Sequence, residues 1–402
     1  MKKTLFFALA AVGMLSSCSQ DDNVSPAIQE ASNLVPIQLS LGTAQMQTRA
    51  TGSGAVGDVD ASKNMWKGQK VNVFMFKKGT LELAKFEGEE IFNNKIFQVT
   101  DERASLGEGE SNAVEAKTVD NSISYYPTQG SYDFWGYRLD GAEIAAPVID
   151  GTTYKVDFTI DGSQDVMIAK AVPTAAQQAA DATACDRAYS AFAARHNIQP
   201  VLDFKHLLTR LKFFALAGNE DATLTDGGIK IDSVKVVSKT TGKLIVAYSG
   251  EEIADADRIE FDAATDSLAL MERAGADVSA PLQKLTASQQ PIWNTTTNKS
   301  DTLQLGESII VSPENEYQAK IYLHQEKSVS TDSSVAKKNI IYGYDLTLKT
   351  PSNVPFKPGY SYNVYLTLWG LQEISVSMTL QPWQEDGNEA TISIQPEDLV
   401  EF

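Results

Sequence analysis

Few side chains in this 402-residue sequence combine a reactive type with a useful spacing. Cys18 is the first. Lys2 and Lys3 precede an apolar run from Leu5 to Leu15, and Leu15-Ser16-Ser17 then leads into the cysteine. The charged start and short apolar core are those of a secretory signal, and the ending resembles a bacterial lipobox. Small residues before the cysteine let a signal peptidase approach, and the thiol takes a diacylglycerol. An ordinary signal peptide with a chance cysteine is the plainer alternative, but the cysteine stands where cleavage is expected. Residues 1–17 are read as the signal peptide and Cys18 as the lipid attachment site. Cys185, the other cysteine, falls in an alanine-rich segment and reads as a small buried hydrophobe instead of a nucleophile.

The remaining candidates dissolve on inspection of their surroundings. Gly52-Ser53-Gly54-Ala55-Val56-Gly57 has the GxGxxG spacing, which cradles pyrophosphate only when a helix N-terminus follows. Here Asp58 to Lys70 is polar, so the motif reads as a flexible loop. Ser334-Val335-Ala336-Lys337 has the SxxK spacing of serine acyl-enzymes but lies in a polar loop between two strand patterns. His196 follows a helical segment and suits its carboxyl end. His206 and His324 lie on strands, with no Cys, His or Asp at ligand spacing. HExxH, CxxC, GxSxG and P-loop patterns are absent. No catalytic residue, metal or cofactor is assigned, and a non-enzyme is expected.

Composition agrees. The net charge of −18 opposes binding to phosphate backbones, and no local basic patch offsets it, so no nucleic-acid partner is expected. Apolar residues at 43% and charged residues at 21% describe a globular protein, not a disordered one. After the N-terminus, no stretch approaches the ~18–20 apolar residues of a spanning helix. The length allows about two to three domains at ~150 residues each.

The elements are strands. Val35, Ile37, Leu39 and Leu41 alternate without a break, the period of a half-buried strand, with Pro36 suited to its start or edge. This strand runs into Gln47 to Gly57, a small-residue, glycine-rich loop holding one arginine, Arg49, the only basic residue between Cys18 and Lys63. Further strands are predicted at Val71–Phe76, Ser122–Tyr126, Tyr132–Leu139, Tyr154–Ile160 and Phe204–Phe214. Pro173 to Asn197 is alanine-rich and reads as a helix capped by Thr174. Gly218 to Gly228 is polar and glycine-containing, a credible border. Beyond it, strands are predicted at Ile229–Val237, Leu244–Tyr248, Ser308–Val311, Tyr317–Leu323, Ile340–Leu348, Tyr360–Leu368 and Ile374–Leu380. Ala390, Ile392 and Ile394 alternate again, and Leu399, Val400 and Phe402 carry apolar groups to the last residue. The pattern is all-β: two β-sandwich domains in tandem with one short helical insertion.

Taken together, these residues resemble the fimbrillin family of Bacteroidetes, the pilins of lipoprotein-derived (type V) fimbriae. The resemblance rests on the lipobox, on the strand ending in Thr48-Arg49-Ala50, and on Gly68-Gln69-Lys70-Val71-Asn72-Val73-Phe74-Met75-Phe76. It continues through Tyr125-Tyr126-Pro127, Tyr132-Asp133-Phe134-Trp135-Gly136-Tyr137, Asp165-Val166-Met167-Ile168-Ala169 and Phe204-Lys205-His206-Leu207-Leu208-Thr209-Arg210-Leu211. The run from Lys357-Pro358-Gly359-Tyr360-Ser361-Tyr362 to Trp383 completes it. Ser19-Gln20-Asp21-Asp22 is similar to the acidic surface-export signal of lipoproteins in the same group.

The resemblance implies transthyretin-like sandwiches at 50–218 and 219–402, preceded by a lipidated propeptide at 18–49. It further implies that the lipidated precursor reaches the outer membrane, where an arginine-specific protease cuts after Arg49 and leaves Ala50 as the new N-terminus. That cut removes the strand of Val35, Ile37, Leu39 and Leu41, and a C-terminal donor strand from another copy or another fimbrial subunit fills the groove. Ile392, Ile394, Leu399, Val400 and Phe402, in segment 390–402, are the available donor residues. A tip or anchor subunit is the alternative within the family. A surface glycan-binding lipoprotein is the alternative outside it, using Trp66, Trp135, Trp293, Trp369 or Trp383 as stacking platforms.

Overall fold

The structure is a computed structural model that describes residues 34–41, 69–103, 114–140, 146–223, 228–274, 281–286, 289–327, 338–350, 353–370 and 373–382. It is all-β with a short helical insertion. The first half contains β1 (Leu39–Leu41), β2 (Lys70–Lys77), β3 (Lys95–Arg103), β4 (Val114–Thr118), β5 (Tyr132–Leu139), β6 (Val148–Asp150), β7 (Thr153–Thr159) and β8 (Val166–Lys170). Helices α1 (Ala175–Ala180), α2 (Ala182–Cys185) and α3 (Ala191–Arg195) come next, then β9 (Val201–Leu202), β10 (Lys205–His206) and β11 (Thr209–Ala217). The second half contains β12 (Ile229–Lys239), β13 (Thr241–Tyr248), β14 (Ile259–Phe261), β15 (Thr265–Ala269), β16 (Leu303–Val311), β17 (Tyr317–Lys327), β18 (Lys338–Leu348), β19 (Tyr360–Gly370) and β20 (Glu373–Pro382).

An eight-stranded sheet in the order β9-β1-β4-β3-β2-β5-β8-β10 organises the first half. Strands β2 and β5 are buried on both faces, which is why β2 reads as an almost continuous apolar run. Val71, Val73 and Met75 point into one core, whereas Phe74 and Phe76 point into another. The second of these cores lies under a four-stranded sheet, β14-β13-β7-β6, whose Tyr154, Val156, Leu244 and Val246 cover Phe74, Phe76, Trp135 and Tyr137. A third core fills the sandwich formed by β16-β11-β19-β20 and β15-β12-β17-β18. In β12 the inward set changes from Ile229 and Ile231 to Val234 and Val236, because a bulge between Ile231 and Ser233 shifts the parity.

Three expectations need correction. The segment Ser122–Tyr126 is extended but makes one isolated bridge, Pro36 to Tyr125, and is no ladder strand. The stretch Phe204–Phe214 is two strands: β10 ends the eight-stranded sheet by pairing with β8, and β11 begins the second sandwich. The chain changes sheets at Leu207 and Leu208, whose backbone bonds Val166 on one side and Gly359 on the other. The single helix predicted over Pro173–Asn197 is three short ones. Asp181 closes α1 and caps α2 by accepting from the Ala184 N–H at 2.9 Å, and Ser190 caps α3 by accepting from Ala193 at 3.2 Å. The expected cap Thr174 opens α1 with a full capping box to Gln177.

The border placed at 218/219 is crossed in both directions. β11, before it, is a central strand of the second sandwich, and β13 and β14, after it, pair in one sheet with β6 and β7.

Candidate functional site

The removable-strand candidates fall within the described residues, and the structure brings them together in one groove. Val35, Leu39 and Leu41 are buried, and Ile37 packs half-buried against the same core. The partners across the groove are Phe92, Phe97, Val99, Ala116 and Tyr126. The strand sits one place in from the sheet edge, antiparallel to β4 (Leu39 opposite Ala116, Leu41 opposite Val114) and parallel to β9 (Ser40 opposite Val201).

Backbone bonds obey the alternation. Odd residues face β4 and its extension: Ile37 N–H donates to Ser124 O at 2.8 Å, and Tyr126 N–H donates to Val35 O at 2.9 Å. Even residues face the other way, where Ser40 N–H donates to Pro200 O at 3.2 Å. Pro36 is even, so the N–H it lacks would point to that second side, where no ladder strand among the described residues reaches it; this is why an edge-type proline is tolerated.

The helical insertion packs into the same core. Ala184, Cys185, Ala188, Tyr189, Ala191, Ala193, Ala194 and Ile198 are buried in the same core as the strand. Small alanine side chains let three helical turns lie close on the sheet, which explains the composition that set this segment apart in the sequence. Cys185 is a buried free thiol with its pKa pushed up by burial, as expected for a packing residue. Leu202 and Phe204 close over Gly136 of β5, where an added Cβ would lie 2.9 Å from Phe204 Cζ and 3.0 Å from Leu202 Cδ1. A cavity of about 510 Å³ opens beside the strand, between Ile37 and Leu39 on one side and the 117–124 segment on the other.

The histidines have carboxylate partners far away in sequence, which ligand spacing alone did not reveal. His206 Nδ1 lies 2.6 Å from Asp165 Oδ2, and His324 Nδ1 lies 2.5 Å from Asp232 Oδ1. His196 caps α3 and pairs with Asp181 at 2.8 Å. The His206 pair belongs to a buried charged cluster with Arg138 and Asp140, which form an ion pair, while Asp165 N–H donates to Asp140 Oδ2 at 3.3 Å. Burial pushes Asp140 up to about 6 against the pull of Arg138. Burial is the largest influence and acts to raise Asp165, but His206, Arg138 and the Val166 N–H together outweigh it and hold that carboxyl below its ordinary value. The cluster joins β5, β8 and β10 beside the change of sheet, with Arg210 donating to Ser361 Oγ at 3.0 Å across to β19. It has the character of a structural tie.

Among the described residues no group of three or more His, Cys, Asp or Glu is placed to hold a metal, and no helix is long and apolar enough to cross a membrane. Of the described tryptophans, Trp135 is in the core, Trp293 is half-buried, and Trp369 is exposed. Cys18, Arg49, Ala50, Ile392, Ile394, Leu399, Val400, Phe402, Trp66 and Trp383 lie outside the described residues, as do the GxGxxG and SxxK segments.

The fimbrillin-like family model matches residues 48–383. No curated protein matches the sequence. Among solved structures, a candidate cell adhesion protein of Bacteroides uniformis is similar at 14% identity and a TM-score of 0.44, covering 88% of this chain and 98% of its own. The fimbrial anchor protein Mfa2 of Porphyromonas gingivalis is similar at 10% identity and a TM-score of 0.29, covering 87% and 98%. A candidate polysaccharide-binding protein of Bacteroides thetaiotaomicron is similar at 12% identity and a TM-score of 0.35, covering 90% and 100%. Of these likenesses, only the family match carries weight for function.

Proposed function

The chain belongs to the fimbrillin-like family, and from that premise we propose that it is a pilin subunit whose first strand occupies its groove only until assembly. Family membership gives it a fimbrial or adhesin role at the cell surface, in assembly with other fimbrial subunits. In the proposed sequence of events, lipid on Cys18 anchors the precursor in the outer membrane, and an arginine-specific protease cuts between Arg49 and Ala50. The segment 35–41 then leaves, and the C-terminal strand of a neighbouring subunit enters with Ile392, Ile394, Leu399, Val400 and Phe402. The protein acts by assembly and not by catalysis.

The observation that carries this reading is the strand in its groove. Val35, Leu39 and Leu41 are buried, at ~1.5–3 kcal/mol each, so the groove gains on the order of 5–9 kcal/mol from being filled. A vacated groove would expose those apolar partners together with the unpaired backbone edge of β4. Strand addition from another chain restores both. A donor from the next subunit makes a head-to-tail contact, which propagates as a filament and does not close as a dimer.

The test is treatment of the mature protein with a trypsin-type protease, followed by sizing. Ladders and a new N-terminus at Ala50 are expected. Deleting Ala390–Phe402 should leave processing intact and abolish the ladders; ladders that persist in the deletion variant refute the donor assignment. Cys18→Ala should release the precursor from the outer membrane.

A further inference from the structure

β9 is two residues long and meets the first strand only at Ser40 and Leu41. Upstream of that point, the bonds on the same side of the strand are made by a side chain. Gln38 N–H donates to Gln199 Oε1 at 3.2 Å, and Gln199 Nε2 donates to Pro36 O at 3.1 Å. One carboxamide thus supplies the acceptor and the donor that a neighbouring strand would supply. A carboxylate lacks the donor and an alkyl group lacks both.

Gln199 is buried and held from three sides. Tyr126 Oη donates to its Oε1 at 3.3 Å, and burial pushes that hydroxyl's pKa well up, so it stays a donor. The Gln199 carbonyl accepts from Gln177 Nε2 at 2.9 Å, and Gln177 is fixed in turn by its capping box with Thr174. The helical insertion therefore reaches the strand's backbone through Gln199.

We propose that Gln199 is a positioning residue that latches the first strand in its groove, with the helical insertion as the frame of the latch. The strand departs only when the carboxamide lets go of Pro36 and Gln38. A strand that takes its place engages the same carboxamide with a carbonyl and an N–H two residues apart. This rests on segment 35–41 being the removable strand only in the exchange step; the latch itself is present in uncut precursor.

Residue-resolved hydrogen exchange on the full-length precursor tests it. In Gln199→Leu, the Gln38 amide should exchange about tenfold faster, the effect of losing a hydrogen bond that gates local opening. Core amides such as Val73 and Leu211, and the melting temperature, should stay near wild type; a general loosening would move all of them. Tyr126→Phe, which keeps Gln199, should accelerate Gln38 in the same direction by a smaller factor and serves if the leucine variant fails to fold. Unchanged Gln38 exchange in both variants overturns the proposal. After cutting at Arg49, the first-strand peptide should leave faster from Gln199→Leu than from wild type, and equal release overturns the latch. Wild-type protein that is cut but never polymerises counts against the pilin reading and leaves the exchange result standing by itself.

Discussion

Truncating Leu39 and Leu41 to alanine separates the strand's contribution from that of the rest of the fold. Both side chains are buried, at 2% and 1% exposure. Leu→Ala in a core costs ~2–5 kcal/mol, and the value depends on whether the surroundings or water can fill the space left. Leu39 borders the open cavity beside the strand, so the vacated space joins one already accessible to solvent. Leu41 does not line that cavity. Leu39→Ala is therefore placed at the low end, ~2–3 kcal/mol, and Leu41→Ala at the high end, ~3–5 kcal/mol. The residues share one core and sit two apart, so the double variant should cost less than the sum. The assay is exchange of the Ser40 amide, which bonds Pro200 O at 3.2 Å, alongside Leu211 and Val364 in the second sandwich. Ser40 protection should fall by roughly a hundredfold to a few thousandfold in Leu41→Ala, since ~1.4 kcal/mol is a factor of ten. The second sandwich should hardly change. Protection lost equally at Leu211 and Val364 would mean that the strand does not leave as a separate unit, and a change under tenfold at Ser40 would mean that its burial does not hold it.

The same packing sets three further outcomes. Gly136→Ala should destabilise by ~1–3 kcal/mol in chemical denaturation, because the new Cβ meets Phe204 and Leu202 at 2.9 and 3.0 Å. Asp140, pushed up to about 6 by burial, keeps its proton in the fold where the unfolded chain would release it near 3.8. Its contribution to stability, at most about 3 kcal/mol, is thus present below pH 4 and lost as pH rises through 6; Asp140→Asn should flatten this slope in a melting series from pH 4 to 7. Asp165, held low, acts with the opposite sign and at more acidic pH, as its carboxylate is protonated. Thr174→Ala should remove the capping box and cost ~1 kcal/mol, read as faster exchange of the Gln177 amide, whose bond to Thr174 Oγ1 is lost.

Local pattern settled what local physics controls. Alternation marked β17, β18 and β19, and a continuous apolar run marked β2, because side chains on a strand point to opposite faces with period two whatever the partner. Thr174 was legible as a cap, because capping involves residues three apart. The strand of Val35, Leu39 and Leu41 was legible as a buried face, and the motifs running through most of the chain pointed to the fimbrillin-like family that matches residues 48–383.

Tertiary structure decided everything that joins distant segments. Ser122–Tyr126 has a strand's pattern but serves the first strand through a single bridge, since pattern does not say whether a partner continues. β11 looks like part of the first half and is central to the second sandwich, because a strand's sheet is set by its non-local partners β16 and β19. Asp165 and His206 form their pair through the register of β8 against β10. Gln199 carries no periodic signal, and it becomes the partner of Pro36 and Gln38 only once the helical insertion has packed on the sheet. A single polar side chain has no period to betray it, and its role exists only where two remote backbones have been brought within hydrogen-bond reach.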